Sequence, residues 1–368
     1  MTDSYTTFTP DWIEKPGSTI LDIIEERGWS QAELAKRLGY TEKHVSQLIN
    51  GRIYISHEAA RRLSRVLGSS VDFWLKLEAN YQKELARLQP RFPEDWLSWV
   101  KGFPIEKLSK IQAINISSFS ENNNPEICQA LLNFFSVASP GQWRDYYGKL
   151  TASFRRTKEE KANDKSIATW LRLGEIEIEK IDSTKFKKYN NKNLQNKLEE
   201  LRSLTVLSQN EFIPRLVNIL AEIGIRFVIV ESIPGAHVSG VLRWLSPTKP
   251  FIQLSLYGKS NDKFWFNFFH EIGHLVLHSK NKDTRSIFLD DLSLTHDKDS
   301  FEIEANQWAK DLLIPCKYNE KLKTLKTEND IIDFAHQIKL HPGIIVGRLQ
   351  HEKIIHYSKY NNLKINLD

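Results

Sequence analysis

Residues 264–277 read FWFNFFHEIGHLVL, and the fold and chemistry of the chain are read outward from them. The centre, His270-Glu271-Ile272-Gly273-His274, is an H-E-x-x-H pattern. Four helical residues rotate by about 400°, so His270 and His274 sit one turn apart on one face. Two imidazoles so placed can share one Zn²⁺ at about 2.0–2.1 Å each. Glu271, one step from His270, falls beside the open position of such a metal, where a carboxylate takes a proton from water. The flanks are apolar on all sides, which predicts a helix buried in a core. Two histidines and a glutamate in such a setting need partners, and a metal supplies them. The plain alternative is a core helix whose histidines are simply hydrogen-bonded.

Downstream, residues 279–298 read as a polar loop. Residues 301–313 read as a helix with Ile303, Ala305, Trp308, Ala309, Leu312 and Leu313 apolar. Glu302 and Glu304 compete for the place of third ligand, completing a His₂Glu set that leaves one position for water. Glu302 is preferred, because it lies four residues before Asn306 and shares its face. That spacing resembles the Glu-x-x-x-Asp of related zinc peptidases, whose second residue supports a histidine ligand. The alternative is that both glutamates are solvated. Upstream, 212–223 forms an amphipathic helix stopped at Gly224. Residues 226–231, 238–244 and 251–256 are β-rich runs, with a turn at Ser246-Pro247-Thr248. A small sheet leading into the helix offers an edge strand to an extended peptide. His278 reads either as cleft lining or as packed. His341 is a candidate for stabilising an oxyanion, or else the cap of a helix starting at Pro342. Residues 334–350 echo a helix-turn-helix with too thin a polar face to read DNA.

Residues from about 201 to 366 resemble the ImmA/IrrE metallopeptidase family. The resemblance is carried by HEIGHL at 270–275, EIEANQWA at 302–309, LLIP at 312–315 and HPGIIVGRLQ at 341–350. It implies one Zn²⁺ per chain, a gluzincin-like fold, and cleavage of a regulatory protein, often a Cro/cI-type repressor. Transferred residue by residue, His270 and His274 are ligands, Glu271 the general base and Glu302 the third ligand. Asn306 stands where more distant zinc peptidases carry Asp.

The head of the chain carries a different signal. Helices are predicted at 19–26, 31–38, 42–49, from Ser56 to a stop at Gly68, and from Val71 to about Leu88. Ser30 followed by Glu33 is a capping-box pattern and Thr41 a further cap. Residues 31–48 form a helix-turn-helix, with small Ala35 at the crossing and Gly39 in the turn. Gln31, Thr41, Glu42, Lys43, His44, Ser46, Gln47 and Asn50 are polar and sized to reach base edges in a major groove. Arg52, Arg61, Arg62 and Arg65 are placed to contact phosphates. A helical hairpin with a merely solvated face is the alternative. Residues 16–81 resemble the Cro/cI (Xre) family, closest to its HigA-type antitoxin branch, through WSQAELAKRLG at 29–39, VSQLING at 45–51, AARRL at 59–63 and VDFWL at 71–75. The resemblance implies operator DNA as partner, bound by a homodimer.

Between the two, short helices are expected around Trp96–Val100, at 127–135, at 143–154 and from Ala168. Polar or charged loops and faces are expected at 118–125, 155–165 and 185–196. No chemistry is visible there. With 368 residues, 40% hydrophobic content and ten Trp, the chain has ample apolar mass for real cores. The net charge of +5 permits nucleic-acid binding without demanding it. Two cysteines, no apolar leader and no apolar run of spanning length point to a reducing cytoplasm and no membrane. The expected fold is α+β and mainly helical. A DNA-binding domain at 1–88 and a helical connector at 89–205 precede a metallopeptidase domain at 206–368 with a small sheet. Two functions follow. One is a DNA-bound regulator carrying a zinc peptidase for a repressor or antitoxin. The other is a repressor or antitoxin whose second half senses a signal or binds a toxin with little proteolysis.

Overall fold

The computed structural model describes residues 14–88, 92–117, 124–151, 163–256, 259–278 and 298–367. The chain falls into two compact units, Met1–Glu94 and Asp95–Asp368.

The first unit holds α1 (Pro16–Glu26), α2 (Gln31–Leu38), α3 (Glu42–Ile49), α4 (His57–Leu67) and α5 (Val71–Leu88). The caps are the predicted ones. Ser30 Oγ accepts the Glu33 N–H, Thr41 Oγ1 the His44 N–H and Ser56 Oγ the Ala59 N–H. The reciprocal half of the capping box at Ser30 is missing, because the Glu33 carboxylate pairs instead with Arg37 at 2.9 Å. Gly39 ends α2 in the left-handed region at φ 69, where glycine carries no Cβ penalty. Ile20, Leu34, Ala35, Val45, Leu48, Leu63 and Trp74 form a common core.

In the second unit α6 (Glu94–Trp99), α7 (Ile105–Lys110), α8 (Asn124–Phe135), α9 (Pro140–Trp143) and α10 (Asp164–Glu179) come first. A π turn, Arg144–Gly148, continues α9. Asn124 and Pro125, expected in a loop, open α8, while residues 118–123 of that loop lie outside the described residues. So do 152–162, with most of the expected charged face, and 279–297, with most of the expected polar loop. Next come α11 (Asn191–Ser203) and α12 (Gln209–Ile223), the latter stopped by left-handed Gly224. The loop expected over 185–196 is seen at 186–190 and corrected from 191 on: Asn190 Oδ1 accepts N–H bonds from Lys192 and Asn193 and so starts α11.

The sheet has strands β1 (Arg226–Ile229), β2 (Gly240–Ser246) and β3 (Lys249–Leu254) in the order β1-β3-β2. β1 runs parallel to β3, and β2 forms an antiparallel hairpin with it, Ser246 opposite Lys249. Alternation sorts the side chains. Leu242, Trp244, Ile252 and Leu254 enter the main core with α12 and the helix that follows β3. On the other face Gln253 and Arg243 bond to backbone of α10: Gln253 Nε2 donates to Trp170 O at 2.6 Å and Arg243 Nη2 to Leu171 O at 3.1 Å. Residues read as a connector thus cover one face of the sheet within the same unit.

The chain closes with α13 (Asn261–His278), α14 (Lys298–Leu313), α15 (Asn319–Thr324), α16 (Glu328–Ile338) and α17 (Pro342–His351). The architecture is α+β, mainly helical, with one small sheet among the described residues. No helix of the described residues is long and apolar enough to cross a membrane.

Candidate functional site

α13 is held at its start. Asn261 N–H donates to Ile365 O at 2.9 Å, and Asn261 Oδ1 accepts the Ile365 N–H at 3.2 Å. Phe264, Trp265, Phe268, Phe269, Ile272 and Leu275 then anchor it in the core. α14 runs antiparallel and very close. A Cβ on Gly273 would stand 3.1 Å from the Trp308 ring and 3.3 Å from Ala305 O. Glycine within the H-E-x-x-H run therefore sets the spacing that brings Glu302 across to the histidines.

Three side chains converge. His270 Nε2 and His274 Nε2 are 3.1 Å apart, His270 Nε2 lies 3.1 Å from Glu302 Oε2, and His274 Nε2 lies 3.4 Å from Glu302 Oε1. The two rings stand nearly perpendicular, at 88°. Donors about 2.05 Å from a tetrahedral centre are separated by about 3.3 Å, and the separations here are of that size. Two imidazole nitrogens aimed at each other repel unless a proton or a cation lies between them. His270 is buried and its Nδ1 has no partner among the described residues. The donor set therefore fits a divalent metal preferring nitrogen and oxygen. It is the cluster of this kind found among the described residues. Burial works against the charged form of Glu302, and hydrogen bonds from both imidazoles override it, holding its carboxyl well below the usual range.

Glu304 does not join them. It is 58% exposed on the next face of α14, with Oε2 3.9 Å from His278 Nδ1. His278 packs at a tilt against Phe301, ring centroids 4.5 Å apart, and burial first, then the nearby His274, pushes its pKa down. The Asn306 side chain makes no hydrogen bond among the described residues, so the support expected of it is not seen. Glu271 is 4% exposed and faces β2, where a Cβ on Gly240 would stand 3.1 Å from its Oε1. Gly240 leaves the room that this carboxylate occupies.

His341 takes the capping role that its sequence also offered. Its Nδ1 accepts the Gly343 N–H at 3.0 Å and lies 2.9 Å from Asn261 Nδ2. It caps α17 beside Asn261, which precedes His270 by nine residues, about 13 Å of helix.

In the first unit Gln31, Thr41, Lys43 and Arg52 are exposed, and Ser46 and Gln47 are half-buried. His44 packs at a tilt against Tyr40, ring centroids 4.3 Å apart, and Asn50 Nδ2 donates to Ser46 O at 2.8 Å. Both are partly committed to their own fold. Arg62 is corrected as a phosphate contact. Its guanidinium donates to Leu38 O and Gly39 O, pairs with Glu58 and lies over the Tyr40 ring, so it fastens the turn. Arg61 and Arg65 remain exposed. Gly240, Gly273 and Arg62 act through contacts distant in sequence, and no local spacing marks them.

Two family models match the chain. One, described as helix-turn-helix, matches residues 20–74. The other, a peptidase family described as the IrrE N-terminal-like domain, matches residues 223–345. The chain is 33% identical over 64 residues to an uncharacterized HTH-type transcriptional regulator, YddM, of Escherichia coli K12, covering 17% of this chain and 68% of that protein. It is 37% identical over 67 residues to virulence-associated protein A′ of Dichelobacter nodosus, covering 18% of this chain and 58% of that protein.

Proposed function

From a chain that belongs to the helix-turn-helix family at residues 20–74 and carries an IrrE N-terminal-like domain at 223–345, we propose a DNA-bound regulator that hydrolyses a regulatory protein. The observation that carries the hydrolytic half is the triangle of His270, His274 and Glu302 donors beside a buried Glu271. His270, His274 and Glu302 hold the ion. Zinc, when bound, supplies a Lewis acid that polarises a carbonyl and brings the pKa of water to about 7.

Glu271 is the general base. It takes a proton from water as the water oxygen bonds to the peptide carbonyl carbon. It then returns that proton to the amide nitrogen as the C–N bond breaks. The exposed residues Gln31, Thr41, Lys43, Asn50 and Arg52, with half-buried His44, Ser46 and Gln47, read the operator. The protein acts as a homodimer in the cytoplasm, and a repressor or antitoxin is its substrate.

The test is Glu271→Gln in the full chain. Loss of cleavage of at least 10³-fold, with zinc content and DNA binding kept, is expected. Wild-type cleavage by that variant removes Glu271 from the mechanism. A full chain that binds one zinc and DNA yet cleaves no candidate repressor supports the other reading, a regulator whose second unit only binds protein.

A further inference from the structure

A cavity of about 730 Å³ adjoins the candidate site. Phe266 and Asn267 of α13 form one wall, and Phe266 lies against the His270 ring, centroids 6.5 Å apart. Ser239, next to the Gly240 that abuts Glu271, lines it too. Lys263, Asn267, His270 and His274 follow one another at helical spacing, so the cavity lies on the face of α13 that also carries the histidines.

Its lining is basic: Lys263, Lys310, Arg348 and Lys364, with Asp262 as the one acidic lining residue among those described. Asp262 and Lys364 are already paired at 2.8 Å, and Lys364 also donates to Gln350. Arg348 is not so committed. Its side chain is 10% exposed, and its Nε pairs with Glu352 on the same helix. Neither Nη1 nor Nη2 makes a hydrogen bond among the described residues, and Nη1 is fully buried. A guanidinium so buried, its Nη1 closed off and without a partner, has its desolvation only partly offset by Glu352. Nη2, which is not fully buried, is the nitrogen left to donate to a carboxylate in the cavity.

We propose that this cavity is a substrate subsite that takes an acidic side chain of the segment to be cleaved, its carboxylate bound by Arg348 and Lys310. The proposal rests on the peptidase reading above. Lys263 lies seven residues before His270, about 10 Å along the helix axis. An extended chain covers that in about three residues. The acidic residue therefore sits about three positions from the bond that breaks. A peptide, rather than a free anion, is favoured because the cavity shares its wall with the His270 site and is apolar at Leu313, Ile314 and Ile344.

The experiment uses the full chain carrying Glu271→Gln, zinc-loaded and immobilised, with a random peptide library. Retained peptides are sequenced. Asp and Glu enriched about threefold or more at one position are expected. Arg348→Gln should abolish that enrichment, and Lys310→Glu should turn it toward Lys and Arg. Lys310 is half-buried, so this second variant answers the case in which Arg348→Gln fails to fold. Peptides retained without acidic preference, no retention, or an unchanged preference in both variants overturns the proposal. So does tight binding of inorganic phosphate without peptide enrichment. Wild-type protein is then given the retained peptides. Acidic preference without cleavage defeats the peptidase reading but leaves the subsite, whereas cleavage without acidic preference defeats the subsite alone.

Discussion

α2 and α3 are joined through Gly39, Tyr40 and Thr41, and α16 and α17 through Lys339, Leu340 and His341. The first residue of each turn is left-handed, at φ 69 and φ 53. Its N–H donates to Lys36 O at 3.3 Å in one turn and to His336 O at 3.2 Å in the other. The second residue donates to Ala35 O or Ala335 O, both at 3.0 Å. The third caps the next helix, Thr41 through Oγ1 and His341 through Nδ1. What differs is the second helix. In α3 residues 41–43 are exposed. In α17 Gly343, Ile344, Ile345 and Val346 are buried. There a Cβ on Gly343 would stand 2.8 Å from Leu363 O, and one on Gly347 2.4 Å from Asp262 Oδ2. One turn geometry thus serves a DNA-reading motif and a piece of core. Burial of the second helix, not the turn, separates them.

The largest expected effect breaks the comparison at its functional end. Lys43→Ala, Gln47→Ala and Arg52→Ala together should weaken binding to DNA selected by the wild-type protein at least 100-fold, at about 1–3 kcal/mol per lost base contact. The melting temperature should stay within about 2 °C, because surface changes cost little. A gel-shift and a melting curve on the same sample check both. Unchanged affinity returns α3 to the status of α17, a helix that only packs.

Charge offers the same contrast. Glu33 pairs with Arg37 on exposed α2, both side chains at least 40% exposed, and Glu33→Gln should cost no more than about 0.5 kcal/mol. Glu175 in α10 is 10% exposed and accepts from Arg243 at 2.7 Å, Tyr147 at 2.8 Å and Arg172 at 3.0 Å. Glu175→Gln leaves Arg243 buried without its counter-ion, at a cost of about 3 kcal/mol. Burial raises the pKa of Glu175, and Arg243 together with Tyr147 and Arg172 more than reverses it, so the folded value lies below the usual one. A depressed folded pKa contributes stability above the unfolded value of about 4.3 and loses it as pH falls through the folded one. The second unit should therefore lose stability below about pH 4.3, with a shallower slope in Glu175→Gln. Denaturant midpoints between pH 3 and 7 decide this, and parallel slopes for the two proteins would remove Glu175 from the acid limb.

Gly347 and Gln47 occupy matching places in the two second helices. Gly347→Ala forces a methyl against the Asp262 side chain, and overpacking of that kind costs about 1–3 kcal/mol. Gln47→Ala should stay within about 0.5 kcal/mol. Equal effects on the denaturation midpoint would mean that α17 is no more tightly enclosed than α3.

These pairs also show what a linear reading reaches. The limits of α2, α3 and α4 were legible because Ser30, Thr41, Ser56, Gly39 and Gly68 sit beside the helices they stop or start. His270, Glu271 and His274 were legible because one helix carries all three. Glu302 was preferred to Glu304 on paper only for its spacing to Asn306; both belong to one helix, and its rotation against α13 decides between them. That rotation depends on Gly273 meeting Ala305 and Trp308, a contact between residues about thirty apart. Asn190 was hidden among lysines and asparagines, whose polarity reads as loop although a single Asn oxygen suffices to cap a helix. The cover of the sheet by α10 was beyond reach, because Gln253 and Arg243 look like exposed strand residues until Trp170 O and Leu171 O meet them.

The smallest effect tests the turn itself. Lys339 holds φ 53 without being glycine, and a left-handed conformation costs an L-residue about 1–2 kcal/mol. Lys339→Gly removes that cost, while the added freedom of the unfolded chain takes back about 0.4–1 kcal/mol. The net gain should be about 0.5 kcal/mol. Gly39→Ala runs the other way. It meets the left-handed cost and brings a Cβ to 3.1 Å from Arg62 Nη1, the atom that holds Leu38 O. Its expected loss is about 1 kcal/mol or slightly more. Opposite signs in the denaturation midpoints are what shared turn geometry demands. If Lys339→Gly were instead to destabilise by about 1 kcal/mol, the exposed lysine side chain would have a role that Gly39 does not share, and the two turns would be alike in backbone only.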